Sequence, residues 1–239
     1  MNITGGQMRI TELPDICRET GIDLTAEMTQ QFSRYMELLM EWNEKINLTA
    51  IKEPQEIAEK HFYDCLLPLS SGKISGRTAD VGSGAGFPGL VWKIARPDLE
   101  MVLIEPTGKR CTFLNTVIRD LHLEGIEVVN ERSEDYVRDQ RESFDTVTAR
   151  AVANLRVLSE LCVPLVRRGG LFVPMKGSSA KQEAEEAKHA MKVLGVTVEY
   201  VQETSLPNGD PRINLFLRKT ANTPPEYPRH YGRIKKQPL

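Results

Sequence analysis

At 239 residues, 40% of them hydrophobic, the chain can bury one large core and still carry an appendage, and a formal charge of −2 excludes a general nucleic-acid coat. It has no apolar run of about 20 residues and no signal-peptide pattern at its start, which predicts a cytoplasmic protein without membrane contact. Cys17, Cys65, Cys111 and Cys162 are dispersed, without C-x-x-C pairs or clustered histidines, so buried thiols are expected rather than disulfides or a metal site.

Residues 1–8 are expected to be irregular. A short helix is predicted over 11–19, ended by Gly21, and Thr25 can cap the next one. That second helix carries Phe32, Tyr35, Leu38, Leu39 and Trp42 at three- and four-residue spacing, a stripe that reads as core. A third helix is predicted from near Pro54 to Leu67, with His61 and Asp64 on one face. Residues 70–76 form a polar, glycine-bearing link, and the pattern changes after it. The predicted organisation is a helical extension over 1–70, an α/β domain over 71–219 and a basic tail over 220–239.

The α/β domain opens on Thr78-Ala79-Asp80-Val81-Gly82-Ser83-Gly84-Ala85-Gly86-Phe87-Pro88-Gly89, which reads as strand, tight turn and helix. Pro88 suits the first helical turn, where its missing N–H has no partner to lose. Gly84 to Gly89 fits G-x-G-x-x-G, the dinucleotide fingerprint. The same residues fit an acid followed by alternating glycines, the loop of S-adenosylmethionine enzymes. Asp80 favours the second. A buried carboxylate is costly unless partnered, and a dinucleotide adds phosphate repulsion while S-adenosylmethionine brings an ammonium and a sulfonium. Asp80, Gly82, Ser83, Gly84, Gly86 and Phe87 are therefore candidate cofactor residues.

Beyond that loop, strands are predicted at 78–81, 101–104, 126–129, 144–149, 170–175, 197–201 and 213–217. Helices are predicted near 87–95, 109–121, 152–166 and 180–194, with a weaker one at 134–139. Alternation implies a parallel sheet with helices on both faces. Only 203–212 separates the last two strands, so they should pair antiparallel at the sheet edge. The expected fold is a seven-stranded, Rossmann-like methyltransferase sheet with its last strand reversed.

Ligands of such sheets bind beyond the carboxyl ends of the strands. Glu105 ends the second strand and can accept from both ribose hydroxyls; Ser133 and Glu134 follow the third and would lie beside the adenine. The fourth strand ends in Ala149-Arg150-Ala151, which offers neither the Asn/Asp-Pro-Pro-aromatic of amino-group methylases nor the cysteine of cytosine-C5 enzymes. Thr223-Pro224-Pro225-Glu226-Tyr227 looks similar to the former but follows the last strand. What is left is in-line transfer to an atom with a free lone pair, such as a guanine N7, with no base and no covalent intermediate. Arg150 is the candidate catalytic residue, gripping the methionine carboxylate or an RNA phosphate. Lys109, Arg110, Lys176, Arg229, Lys235 and Lys236 are candidate RNA contacts, while the acidic stretch 183–192 reads as an outer face.

Several segments together resemble one family. They are Trp42-Asn43-Glu44-Lys45-Ile46-Asn47-Leu48-Thr49, His61-Phe62-Tyr63-Asp64, the 80–89 loop, Lys109-Arg110-x-x-Phe113-Leu114, Thr148-Ala149-Arg150-Ala151-Val152, Lys176-Gly177 and the ending Lys235-Lys236-Gln237-Pro238-Leu239. The chain is similar to the ribosomal small-subunit methyltransferase G family, also called glucose-inhibited division protein B. The resemblance implies S-adenosylmethionine-dependent N7 methylation of one guanosine of 16S ribosomal RNA (guanine 527 in that family's numbering), leaving S-adenosylhomocysteine. The expected partner is that RNA or a small-subunit precursor, and the chain is expected to act as a monomer. It carries cofactor roles to Gly82, Phe87, Ser133, Glu134 and Arg150. Cys65 stands where the family usually has Ser, Pro106 follows Glu105 where a small polar residue is common, and Tyr231-Gly232-Arg233 departs from the usual ending. Two other readings stand beside it: an NAD(P)-dependent oxidoreductase using the glycine loop, and a catalytically inert RNA-binding module.

Overall fold

A computed structural model describes residues 8–150 and 153–239. Seven strands form one sheet in the order β3-β2-β1-β4-β5-β7-β6. These are β1 (Arg77–Val81), β2 (Glu100–Ile104), β3 (Ile126–Val129), β4 (Phe144–Arg150), β5 (Val166–Lys176), β6 (Val196–Ser205) and β7 (Pro211–Lys219). Strands β1 to β5 pair parallel. β7 runs antiparallel to both β5 and β6, which puts the predicted hairpin at the edge with its second strand slotted inside. The order reverses between β1 and β4, and the carboxyl ends of those strands open a crevice there.

Helices cover both faces. On one lie α1 (Leu13–Glu19), α2 (Ala26–Ile46), α3 (Pro54–Ile57), α4 (Asp64–Leu66), α5 (Gly89–Ala95) and α6 (Gly108–Asp120), whose apolar residues share one buried cluster. On the other lie α7 (Ser133–Gln140), α8 (Leu155–Cys162), α9 (Ala180–Glu186), α10 (Lys188–Leu194) and α11 (Tyr231–Lys236), around a second cluster. Thr25 caps α2 as predicted, its hydroxyl accepting the Met28 N–H at 3.2 Å. The stripe Phe32, Tyr35, Leu38 and Leu39 is buried, with Trp42 partly so. No helix among the described residues is long and apolar enough to cross a membrane.

Four details differ from the sequence reading. The start of the chain up to residue 7 lies outside the described residues, but Met8 is buried in the first cluster rather than loose. The third predicted helix is not one regular helix: a π-helical stretch, Ala58–Tyr63, separates α3 from α4. Pro164 ends α8 early in a 3₁₀ turn, while Val152, its predicted start, lies outside the described residues. Glu183 is no outer-face residue; its carboxylate accepts the Leu155 N–H and pairs with Lys176, both at 2.8 Å.

Candidate functional site

The loop after β1 is built by its glycines. Gly82, Gly84 and Gly86 have φ of 72°, 59° and 95°, the left-handed region that favours glycine. A Cβ on Gly86 would lie 2.3 Å from Leu90 Cδ1 and 2.7 Å from the Tyr35 hydroxyl. On Gly84 it would meet only the Gly82 carbonyl oxygen, at 3.8 Å, so Gly84 borders open space. The hydroxyl of Tyr35 donates to the Ala85 carbonyl, which braces the loop from α2. Pro88 precedes α5 as its N-cap rather than entering its first turn.

Asp80 is fully buried beneath this loop. Its Oδ2 accepts the Gly89 N–H at 3.0 Å, while Oδ1 has no partner among the described residues. Burial pushes the carboxyl up to about 7, and the Gly89 amide offsets only part of that. The acid thus occupies the amino end of α5 where a dinucleotide fold seats pyrophosphate, so a phosphate there would face a carboxylate. An orphaned buried oxygen instead fits a ligand that brings a cation. Asp80 was expected to face the cofactor; its side chain turns under the loop and does not line the cavity.

That cavity, of about 450 Å³, is lined by Gly82, Ser83, Gly84, Phe87, Glu105 and Arg150 among others. It falls in the range of nucleoside-sized ligand pockets. The Glu105 carboxylate is buried and accepts from Gly84 N–H and Thr107 N–H, each at 2.9 Å, which ties the glycine loop to the end of β2. Each oxygen keeps a second lone pair for a hydroxyl donor. Ser133 and Glu134 do not line this cavity; Glu134 borders a separate one closed by Tyr227, Pro228 and Arg229 of the tail.

Arg150, at the tip of β4, is gripped from several sides. Nη1 donates to the Lys60 carbonyl at 3.1 Å and approaches Asp64 Oδ2 at 3.4 Å; Nη2 donates to His61 Nδ1 at 3.0 Å. The guanidinium lies 4.8 Å over the Phe87 ring, which His61 also stacks against at 4.4 Å. Burial, with Arg150 beside it, drives His61 down to about 3, so its ring is neutral at physiological pH. Because arginine only donates, Nδ1 must accept, and the proton sits on Nε2, 2.8 Å from the Thr49 hydroxyl. The π-helical stretch therefore has a use: it carries the carbonyl and ring that orient Arg150.

Sequence reasoning missed Thr49 and Arg212. Leu48 and Thr49 form a wall of the cavity, held there by Asn43, whose amide bonds both backbone groups of Thr49 at 2.8 and 2.9 Å. Arg212, at the start of β7, pairs with Asp64 at 3.0 Å. The family-like run 42–49 was the available signal for the wall; nothing in the sequence tied Arg212 to Asp64.

The expected RNA contacts divide. Lys109, Lys235 and Lys236 are exposed, and Arg110 is half-exposed at the cavity mouth, 3.8 Å from Glu105. Lys176 instead pairs with Glu183 and donates to the Ala153 carbonyl at 2.6 Å. Arg229 makes a bidentate pair, at 2.7 and 2.6 Å, with the fully buried Glu160. Neither is a free cation in this arrangement. The tail is docked, not solvated: Ile234 is buried, and Arg141 binds the carbonyls of Thr223, Pro224 and Tyr227.

Comparison with known proteins agrees with the geometry. A family model described as rRNA small subunit methyltransferase G matches residues 28–211. The chain is 44% identical over 226 residues to the ribosomal RNA small subunit methyltransferase G of Streptococcus suis (strain 05ZYH33), covering 92% of this chain and 95% of that one. It is 46% identical over 223 residues to the protein of that name from Desulfitobacterium hafniense (strain Y51), covering 91% and 92%. A crystal structure of a SAM dependent methyltransferase from Aquifex aeolicus superposes with a TM-score of 0.52 at 13% identity, over 71% of this chain and 96% of that one, which shows a shared fold.

Proposed function

The chain belongs to the rRNA small subunit methyltransferase G family, and from that premise we propose that it transfers a methyl group from S-adenosylmethionine to N7 of a guanosine in 16S ribosomal RNA. When bound, S-adenosylmethionine supplies an electrophilic methyl on a sulfonium. The observation that carries the reading is the cavity where Gly84 and Glu105 meet Arg150 across the switch in strand order. Glu105 would hold the ribose hydroxyls, each charged hydrogen bond contributing on the order of 1.5–3 kcal/mol. The open face at Gly84 lets backbone approach the ligand, and Phe87 lines the cavity beside it. Asp80 holds the loop from beneath, through the Gly89 N–H that its Oδ2 accepts.

Guanine N7 has a lone pair and no proton, so the accepting atom needs neither a base nor a covalent nucleophile. None of the four cysteines lines the cavity. All are buried, and burial pushes Cys17, Cys65, Cys111 and Cys162 up, so no thiolate is ready to attack. His61, neutral and with Nδ1 already accepting from Arg150, is occupied as an orienting group rather than as a base. Catalysis therefore rests on position, with correct alignment contributing roughly 7–11 kcal/mol. Arg150 keeps its Nε–H and one Nη2–H without partners among the described residues, enough to hold a carboxylate, phosphate or carbonyl oxygen. Lys109, Arg110, Lys235 and Lys236 are the cations we assign to RNA phosphates. We read the chain as acting as a monomer, and a ribosomal substrate supports a cytoplasmic site of action.

The test is to incubate the protein and methyl-labelled S-adenosylmethionine with small subunits from cells lacking the enzyme. Label should enter 16S RNA at one guanosine, and borohydride and aniline should cleave the chain there. Label at another atom leaves the RNA uncleaved and refutes N7; binding of NAD in place of S-adenosylmethionine refutes the class.

A further inference from the structure

A second cavity, of about 480 Å³, shares Arg150 and His61 with the first and is walled by Ile51, Asp64, Met175 and Arg212. Resting on the methyltransferase reading above, we infer that this second cavity receives the target guanine and that Asp64 identifies it by accepting from N1–H and the N2 amino group. Ile51 and Met175 give apolar walls suited to the faces of a base. At the carboxylate, Oδ1 is engaged by Arg212 Nε at 3.0 Å, whereas Oδ2 meets only Arg150, at 3.4 Å. Oδ2 therefore has acceptor capacity left, in a group that is only slightly exposed.

Guanine alone among the four RNA bases places a ring N–H beside an exocyclic amine, so a carboxylate can accept from both. Adenine and cytosine pair their amine with a ring acceptor, and uracil flanks its N–H with carbonyls. The order of groups across the site also matches the purine. Asp64 touches Arg150, and Arg150 lines the first cavity. Around guanine the corresponding order is N1, O6 and N7. With N1 at Asp64 and O6 beside a spare Arg150 donor, N7 is left facing the first cavity. Burial pushes the Asp64 carboxyl up, and the two guanidinium groups oppose that by favouring its charged form. Arg212 is thus a positioning residue: it fixes the carboxylate and supports its charge without touching the reacting atoms.

Inosine keeps N1–H, O6 and N7 but lacks the N2 amino group. Small-subunit RNA carrying inosine at the methylated position should react at least about tenfold more slowly than the guanosine RNA in single turnover with the native chain. In the S-adenosylhomocysteine complex it should also bind more weakly. D64N should bind both RNAs within about twofold of each other, while its S-adenosylmethionine affinity, measured by calorimetry, stays within about threefold. D64E retains the charge for both arginines but displaces the oxygens, so it too should lose preference and serves if D64N does not fold. Equal treatment of inosine and guanosine by the native chain overturns the assignment, as does a variant that keeps the native preference. Failure of the native chain to methylate the guanosine RNA at all would instead reject the underlying methyltransferase reading.

Discussion

Asp80→Asn isolates the physical device on which the cofactor loop depends. The carboxylate is fully buried, one oxygen takes the Gly89 amide at 3.0 Å, and the other has no partner among the described residues. Raising a carboxyl from 3.8 to about 7 costs the ionised fold roughly 4 kcal/mol, at about 1.36 kcal/mol per pKa unit. Because the folded value lies above the unfolded one, this contribution to stability is fully present below pH 3.8. It is lost as pH rises through 7 and stays flat beyond. Asparagine is nearly isosteric, keeps an acceptor for Gly89 and does not ionise. The gap in urea-unfolding free energy between D80N and the native ligand-free chain should therefore widen in favour of D80N from pH 5 to pH 8, by about 2–4 kcal/mol. Parallel pH profiles for the two ligand-free proteins would refute the assignment of a strained acid under the loop.

The glycines should separate under one substitution. Gly84→Ala faces open space and should cost about 1 kcal/mol of stability, for its positive φ, while weakening S-adenosylmethionine in calorimetry. Gly86→Ala meets Leu90 and Tyr35 and should lower thermal stability by more than Gly84→Ala does. Glu105→Ala should weaken the same ligand by about 1–3 kcal/mol; unchanged affinity removes Glu105 from the site. Arg229→Met leaves Glu160 charged and buried and should destabilise by about 3–5 kcal/mol in urea unfolding, with Arg229→Met/Glu160→Met recovering much of the loss. If the single variant unfolds like the native chain, Arg229 is not the tail's anchor.

Much of the fold was legible because its signals are local. Apolar runs of strand length alternating with helical patterns set seven strands, and the short stretch 203–212 between the last two predicted strands forced a hairpin. Alternating glycines after Asp80 marked the turn, since only residues free of a Cβ adopt three left-handed positions so close together. Glu105 and Arg150 were reachable too, as strand-end residues in a sheet whose ligand edge is fixed by topology.

What tertiary structure alone decided was which charges are free. Lys176 and Arg229 read as RNA-facing cations in the sequence, yet Glu183 and Glu160, 7 and 69 residues away in the chain, neutralise them. Conversely, His61 and Asp64 read as an ordinary helical pair until β4 and β7 bring Arg150 and Arg212 against them. Local spacing fixes which face a side chain occupies on its own element. Its partner is set by where another element passes, and burial makes that partner matter: out of water, an ionised group is tolerable only where an opposite charge or a donor meets it.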